Sequence, residues 1–494
     1  MKKKKLFLLF FCYIFKYYIY NRRPKNIKDF LLMIPFLKHK IKLKLKENTQ
    51  VLEKELKTNY NYLTYLPTNS NSILELENKM NKMVCEEYDK NKISGIVYLG
   101  SDNHNNKLLT IFSKFMYSNP LHPDLYPKIR NMEIDIINIC KNLYNGNDNC
   151  CGNITYGGTE SILLACVTYR DYFKDLKDIT NPNIICFKTV HPAFLKAGHY
   201  FNIKMILVEN LAQMKRTINY NTICIVGSAP EYSYGIIDPI KEMSNLAKKN
   251  SIGFHVDACM GGFLLPFIDK YKYINFQLDG ITSISMDTHK YGYSFKGSSV
   301  LLFSHYKYKY FQHYINKDWC GGIYGTPTIM GSKNGGLIAT TWASLLLIGK
   351  NKYVDYSNNI RNNLLYIKKN LNDEIEIIND PDLNIIAFKY KDSKIYYLID
   401  ILKKKGWNLT ILQNPPAFHL CLTNLHNRNI CKQFVDDINN NIAKLDDNKE
   451  IGGTLSLYGS SQKLENSIFI GEIINNYIYL LSQNSISLKY SKNK

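Results

Sequence analysis

The stretch GFHVDACMGGFLLPF (Gly253–Phe267), followed closely by ITSISMDTHKYGYSFKGSSVLLF (Ile281–Phe303), sets the architecture. Each opens on a short apolar run, Gly253–Val256 and Ile281–Ser285, too short for a helix and closed by polar residues. Runs of this kind read as buried strands whose C-terminal ends carry chemistry. Working outward, Ile184–Val190, Lys204–Val208, Thr222–Gly227 and Ser298–Phe303 have the same form, and helical patterns such as Glu160–Phe173 and Asp238–Lys249 separate most of them. Strand and helix in alternation mean βαβ crossovers, hence an α/β fold with a mainly parallel sheet. A helical stretch, Leu337–Gly349, then leads into a second, smaller α/β segment ending near Lys444. The expected division is a large domain over 94–349 and a small C-terminal domain with a polar tail over 350–494. They are preceded by a tether and N-terminal segment over 50–93 and by a basic, apolar end over 1–49.

The 494 residues are 45% hydrophobic and 21% charged, which excludes a chain disordered as a whole. The net charge is +21, a value that suggests nucleic acid until its placement is considered. Residues 1–60 carry 16 Lys and Arg against four Asp and Glu, more than half of the excess. Within that end, Lys2–Lys5 precede the apolar run Leu6–Phe15. Asn21–Pro24 then offers no small-residue cleavage site, so a signal peptide is the poorer reading and a membrane anchor the better one. The anchor, continued through Lys16 and Tyr17–Tyr20, is short: 15 residues rise about 22 Å against a hydrocarbon core of about 30 Å. Ile27–Lys46 interleaves apolar and basic residues, as a segment lying on an anionic membrane surface would. No nucleic-acid partner is expected. The 12 cysteines are scattered without metal-ligand or disulfide spacing, so neither a metal site nor a disulfide framework is expected.

Four short stretches carry the chemistry. Gly157-Gly158-Thr159-Glu160-Ser161 opens a helix, with Thr159 or Ser161 expected as its N-cap, and the free amides of such a start form an anion cradle. Asp257 closes a strand, where a carboxylate can hold a ring nitrogen protonated. Lys290, in Asp287-Thr288-His289-Lys290, follows the next strand, where desolvation is expected to lower its pKa and free its amine. His191 follows Ile184–Val190 and can stack on a planar ring. Each stretch alone is ordinary. Together they are the parts pyridoxal 5′-phosphate requires: an anion site, a stacking face, an electron-sink partner and an amine.

The sequence also resembles the sphingosine-1-phosphate lyase family. The likeness is carried by Asn119–Asp124, the Gly157–Ser161 turn, HVDACMGGFLLPF (His255–Phe267), SISMDTHKYGYSFKGSS (Ser283–Ser299), GGIYGTPTIMGSKNGG (Gly321–Gly336) and GWNLTILQNPP (Gly406–Pro416). Group II amino-acid decarboxylases share the Asp and Lys motifs but not these longer strings. The resemblance implies the type I pyridoxal-phosphate transferase fold and a homodimer with shared active sites. It also implies attachment to the endoplasmic reticulum membrane with the catalytic part facing the cytosol. It implies that Lys290 binds the cofactor covalently, that Asp257 faces the ring nitrogen and that His191 stacks on the ring. The cofactor phosphate would be held by Gly158, Thr159 and His289, with Gly331 and Ser332 of the partner subunit. The phosphate of a phosphorylated sphingoid base would meet Tyr98, Asn119, His122 and Lys296.

The sequence departs from the family pattern at three places. Tyr156 stands where a small serine is usual, Phe295 replaces a proline before Lys296, and Lys333 and Asn334 replace an arginine–proline pair. The expected reaction is cleavage of the substrate's Cα–Cβ bond, giving a long-chain aldehyde and ethanolamine phosphate. Tyr232, Tyr234 and Lys290 are the candidate bases. The alternatives are a pyridoxal-phosphate-dependent amino-acid decarboxylase, or a catalytically silent membrane-surface protein.

Overall fold

The computed structural model describes residues 65–83, 88–391, 394–442 and 470–481, with single positions at 43 and 50. One compact unit spans Tyr88–Leu445, and a second comprises Met1–Glu87 and Asp446–Lys494. Within the second, the described helices are Ile73–Met83 and Ile470–Leu480. The expected anchor lies outside the described residues apart from Leu43, and among the described residues no helix is long and apolar enough to cross a membrane.

In the first unit the chain runs through α1 (Asp102–Phe115), α2 (Pro127–Leu143), β1 (Cys151–Thr155), α3 (Gly158–Lys177), β2 (Asn183–Phe187), α4 (Pro192–Phe201) and β3 (Lys204–Val208). It continues with α5 (Leu211–Thr217), β4 (Thr222–Ser228), α6 (Ile240–Asn250), β5 (Gly253–Asp257), β6 (Ser283–Met286) and β7 (Ser299–Phe303). These strands form one seven-stranded sheet ordered β1-β7-β6-β5-β4-β2-β3. The five strands β3, β2, β4, β5 and β6 are mutually parallel, and β7 runs antiparallel to both β6 and β1. The sheet is therefore mainly parallel, as the alternation implied. Two ends differ from expectation: the chain turns at Lys188, with the Val190 N–H donating to the Phe187 carbonyl, and Ile281 belongs to the turn before β6. One face is sealed by α3, whose Ile162, Leu164, Tyr169 and Phe173 join Ile184, Val226 and Leu301 in a buried cluster. Each such side chain contributes about 1.5–3 kcal/mol by leaving water. Tyr169 also spends its hydroxyl on Thr282 Oγ1 (2.5 Å) and Ser283 Oγ (2.6 Å), fixing α3 over the β5–β6 edge.

A short hairpin, β8 (Tyr314–Asn316) with β9 (Tyr324–Thr326), precedes the long helix α7 (Gly335–Asn370). Helix α7 breaks at Gly349, whose φ of 68° a side chain would resist, and the boundary expected at 349/350 falls on this kink. Beyond it, β10 (Glu376–Ile377), β11 (Ile385–Lys389), β12 (Thr410–Leu412) and β13 (Ala417–Cys421) form a four-stranded antiparallel sheet. Helices α8 (Ile395–Lys404) and α9 (Arg428–Ile442) complete this part. The register of the large sheet sets the site, because Asp257 lies opposite both Ser228 and Ser285 and so gathers the C-terminal ends of β4, β5 and β6.

Candidate active site

Helix α3 starts earlier than its side chains suggest. Its N-cap is Gly157, at φ 125° and ψ 169°, and no side chain caps it. Thr159 and Ser161 are therefore not the cap. Ser161 turns inward to Thr155 Oγ1 (2.7 Å) and Ser299 Oγ (3.0 Å) instead. The amides of Glu160 and Ser161 close onto the Gly157 carbonyl, while those of Gly158 and Thr159 have no partner among the described residues. Two free donors at the positive end of a 20-residue helix form an anion cradle. Gly158 is needed there because a Cβ would lie 2.8 Å from both Asp287 Oδ1 and Cys259 Sγ.

The turn after β6 brings three charged groups to this cradle. Asp287 is buried, and its Oδ2 accepts from Lys290 Nζ at 2.8 Å, with His289 Nε2 at 3.7 Å. Its Oδ1 has no hydrogen-bond partner among the described residues. Burial favours the neutral amine of Lys290, but the Asp287 carboxylate outweighs it, with Asp257 adding to the effect, and the pKa is raised. This corrects the expectation of a lowered value: the lysine is desolvated, but an acid three residues earlier holds its proton. Reciprocally, Lys290 and His289 overcome the burial of Asp287 and keep its carboxyl below the usual range. His289 Nδ1 lies between the Ser298 carbonyl (2.6 Å) and the Ser298 N–H (3.3 Å), which orients the ring with Nε2 3.7 Å from Asp287. Burial lowers the His289 pKa, against the pull of Asp287.

Asp257, the last residue of β5, is buried and accepts the Cys259 N–H at 3.1 Å through Oδ1. Its second oxygen has no hydrogen-bond donor among the described residues. Beneath it, His255 lies between Ser283 Oγ (2.7 Å) and Ser285 Oγ (3.1 Å), with burial pushing its pKa down to about 4, so it pins β5 to β6 as a neutral ring. His191 is exposed and caps α4, its Nδ1 accepting the Ala193 N–H at 3.2 Å, which leaves the neutral ring's proton on Nε2.

The residues expected at the substrate phosphate fall into two groups. The Lys296 ammonium lies 4.7 Å from the ring centroid of Tyr98, which itself packs edge-on to Tyr291 at 5.1 Å. Part of Lys296 is open to solvent, yet desolvation of its ammonium and the nearby charge of Lys290 bring its pKa down to about 8. No carboxylate forms an ion pair with it among the described residues. The second group is a cross-linked pair of loops, in which Asn119 Nδ2 donates to Ser332 Oγ (3.2 Å) and Asn119 Oδ1 accepts the Lys333 N–H (3.2 Å). His122 lies on the same turn, exposed, with its N–H on the Asn119 carbonyl. The Gly331–Ser332 loop is thus held by its own chain.

Asp287 and Tyr291 belong to this neighbourhood without having been singled out in the sequence, whereas Tyr232 and Tyr234 were candidate bases there. Asp287 stood in plain view three residues before Lys290, but nothing in the string says its carboxylate folds back. Tyr234 donates to the Asn414 carbonyl (3.2 Å) and packs on the small sheet, so it is committed elsewhere. Tyr232 is 40% exposed and packs edge-on to His419; burial pushes the Tyr98 hydroxyl's pKa up, with Cys421 and then Tyr232 adding to it.

A mainly parallel sheet with an uncapped helix start, a half-buried lysine and a strand-end aspartate gathered at the C-terminal ends of its strands defines a pyridoxal-phosphate enzyme. Residues 111–391 match the family model "Pyridoxal-dependent decarboxylase conserved domain". The sphingosine-1-phosphate lyase 1 of Rattus norvegicus is 38% identical, over 92% of this chain and 84% of its own. That of Drosophila melanogaster is 36% identical, over 93% and 89%. The structure of the Burkholderia pseudomallei lyase superposes with a TM-score of 0.77 at 28% identity, covering 86% of this chain and 99% of that one. A Lactobacillus brevis glutamate decarboxylase, at 20% identity and a TM-score of 0.69, shares the fold. The chain belongs to the sphingosine-1-phosphate lyase family. The donor set fits pyridoxal 5′-phosphate: two free amides and His289 for its phosphate, Lys290 for its aldehyde and Asp257 for its ring nitrogen. When bound, the cofactor supplies an electron sink.

Proposed function

We propose that this chain cleaves the Cα–Cβ bond of a phosphorylated sphingoid base, releasing a long-chain aldehyde and ethanolamine phosphate. The observation that carries the substrate class is Lys296, a cation six residues beyond Lys290 with no carboxylate partner among the described residues. A desolvated ammonium without a counter-ion is a receptor for an anion, and a phosphate brings close to two negative charges. Lys290 would hold the cofactor through its aldehyde and yield that place to the substrate's amine. Released, Lys290 can carry a proton, with Asp287 2.8 Å away to receive or return it. Tyr232 is the nearby hydroxyl for the proton leaving the substrate's 3-hydroxyl. Asp257 would keep the ring nitrogen protonated, and His191 would cover the ring.

Lys296→Ala is expected to lower kcat/KM for the phosphorylated substrate about 10- to 150-fold, the loss of one hydrogen bond of about 1.5–3 kcal/mol to a charged group. It should leave cofactor binding intact and barely change turnover of a non-phosphorylated base. Loss of cofactor, or an equal loss on both substrates, would count against the assignment. The pH dependence follows from the same group. With a pKa of about 8 in the free enzyme, Lys296 loses its proton as pH rises through that value. The kcat/KM for the phosphorylated substrate should therefore fall on the alkaline side of 8. Bound phosphate favours the ammonium, so kcat should fall only at higher pH, and Lys296→Ala should lose this limb from kcat/KM.

The reading extends to a homodimer in which Gly331 and Ser332 of the partner subunit complete the cofactor phosphate site. Its support is the exposed apolar surface on the segments that Asn119 and Ser332 join, including Tyr117 (86% exposed), Leu125 (67%), Ile315 (66%) and Ile323 (85%). It extends also to attachment through residues 1–49 to the endoplasmic reticulum membrane, with the catalytic unit in the cytosol. Deleting 1–49 should make the protein extractable without detergent and leave activity on dispersed substrate. A full-length protein already found in the salt-washed soluble fraction would refute the attachment.

A further inference from the structure

Tyr156 and Glu160 flank the cradle glycines and are bonded to a loop far away in sequence. The Tyr156 N–H donates to Glu160 Oε2 at 2.6 Å, the reach-back of an acid at the third helical position. An ordinary cap would end there. Instead, the other oxygen of Glu160, a residue 8% exposed, accepts the Met330 N–H at 3.2 Å, across 170 residues. The Tyr156 hydroxyl accepts the Asn334 N–H at 2.6 Å, across 178 residues. Both ends of the Met330–Asn334 loop are therefore fixed to the turn that presents the Gly158 and Thr159 amides. The middle of the loop is fixed by Asn119, through Ser332 Oγ and the Lys333 N–H. Glu160 has no ion-pair partner among the described residues, so its buried carboxylate relies on these two N–H donors and the positive end of α3.

We infer that Tyr156 and Glu160 are positioning residues that clamp the Met330–Asn334 loop to the phosphate cradle, so that an anion in the cradle and the placement of Gly331 and Ser332 are coupled. The inference rests on reading the Gly158–Thr159 amides as a phosphate site. An anion drawn to those amides steadies the start of α3, and through Glu160 and Tyr156 it steadies both ends of the loop. A loop held in place in turn limits the opening of the turn that lets the anion leave. Neither residue touches the reacting atoms.

The test uses the full-length protein, as holoenzyme for the rate of pyridoxal phosphate release and after cofactor removal for hydrogen exchange across residues 328–336 with and without added ligand. In the wild type, pyridoxal phosphate, and separately inorganic phosphate, should slow exchange at the Met330 and Asn334 amides. Tyr156→Phe keeps the ring and removes only the acceptor. It should release the cofactor about 3- to 10-fold faster, as expected for one hydrogen bond, and abolish the phosphate-dependent protection at Asn334. Asn334→Pro removes the donor at a φ of −81°, which proline accepts. Because both changes remove the same bond, the double variant should release cofactor no faster than expected from one loss of that bond plus the lost Asn334 cap. Release at the wild-type rate in Tyr156→Phe, strictly additive effects, or protection insensitive to phosphate in the wild type would each overturn the clamp. A wild-type protein that takes up no pyridoxal phosphate would instead overturn the proposed function, and the inorganic phosphate arm would still decide the clamp.

Discussion

Lys290→Ala is expected to abolish covalent cofactor binding and lower turnover by at least about 10³-fold, since the substituted side chain is both the attachment point and a proton carrier. A second effect follows from the ion pair. Removing Lys290 leaves the buried Asp287 carboxylate without the cation now 2.8 Å away, and breaking a buried pair from one side costs about 3–5 kcal/mol. The variant should therefore also unfold more easily near neutral pH. The sign of its pH dependence is fixed. Without its cation, Asp287 would have a folded-state pKa above the unfolded value, so the deficit is absent in acid and grows as pH rises through the ordinary carboxylate range. Lys290→Ala combined with Asp287→Asn should recover the stability and none of the activity. Thermal melts at two pH values, with borohydride reduction and peptide mapping of the wild type, check both parts. A reduced adduct on Lys296 would move the cofactor lysine.

Asp257→Asn is expected to keep the cofactor attached and the fold unchanged while lowering kcat about 10²- to 10³-fold, the usual scale for removing one preorganised charge from a reacting centre. The amide retains an oxygen for the Cys259 N–H, which Asp257 Oδ1 now accepts at 3.1 Å. What it lacks is the negative charge that would keep the ring nitrogen of a bound cofactor protonated. Absorbance of the bound cofactor should shift while the melting temperature holds. Unchanged kcat with lowered stability would make Asp257 a structural residue.

The parallel strands were legible because β2, β4, β5 and β6 are buried on both faces and read as short apolar runs closed by turns, while the edge strand β3 kept an apolar run though only partly buried. Strand β1 was not, since Cys151-Gly152-Asn153-Ile154-Thr155 has neither a continuous apolar run nor alternation, and it is a strand only because β7 pairs with all five residues. The four-stranded sheet beyond Gly349 is antiparallel because β13 pairs back against both β11 and β12, a register no single segment encodes. In the site, Asp257, Lys290 and the Gly157–Ser161 turn were readable from strand ends and a helix start. The state of Lys290 was not, because burial and the Asp287 carboxylate push its proton in opposite directions and only geometry decides between them. The departures at Tyr156 and Asn334 looked independent in sequence. In three dimensions they are donor and acceptor of one 2.6 Å hydrogen bond, which a proline at position 334 could not donate.

The most direct test of the account is product analysis after incubating the purified protein with pyridoxal phosphate and a phosphorylated sphingoid base. Mass spectrometry should find a long-chain aldehyde and ethanolamine phosphate in equal amounts, with neither formed by Lys290→Ala. Intact phosphorylated base, together with carbon dioxide release from an amino acid offered in parallel, would contradict the account and make the chain a decarboxylase.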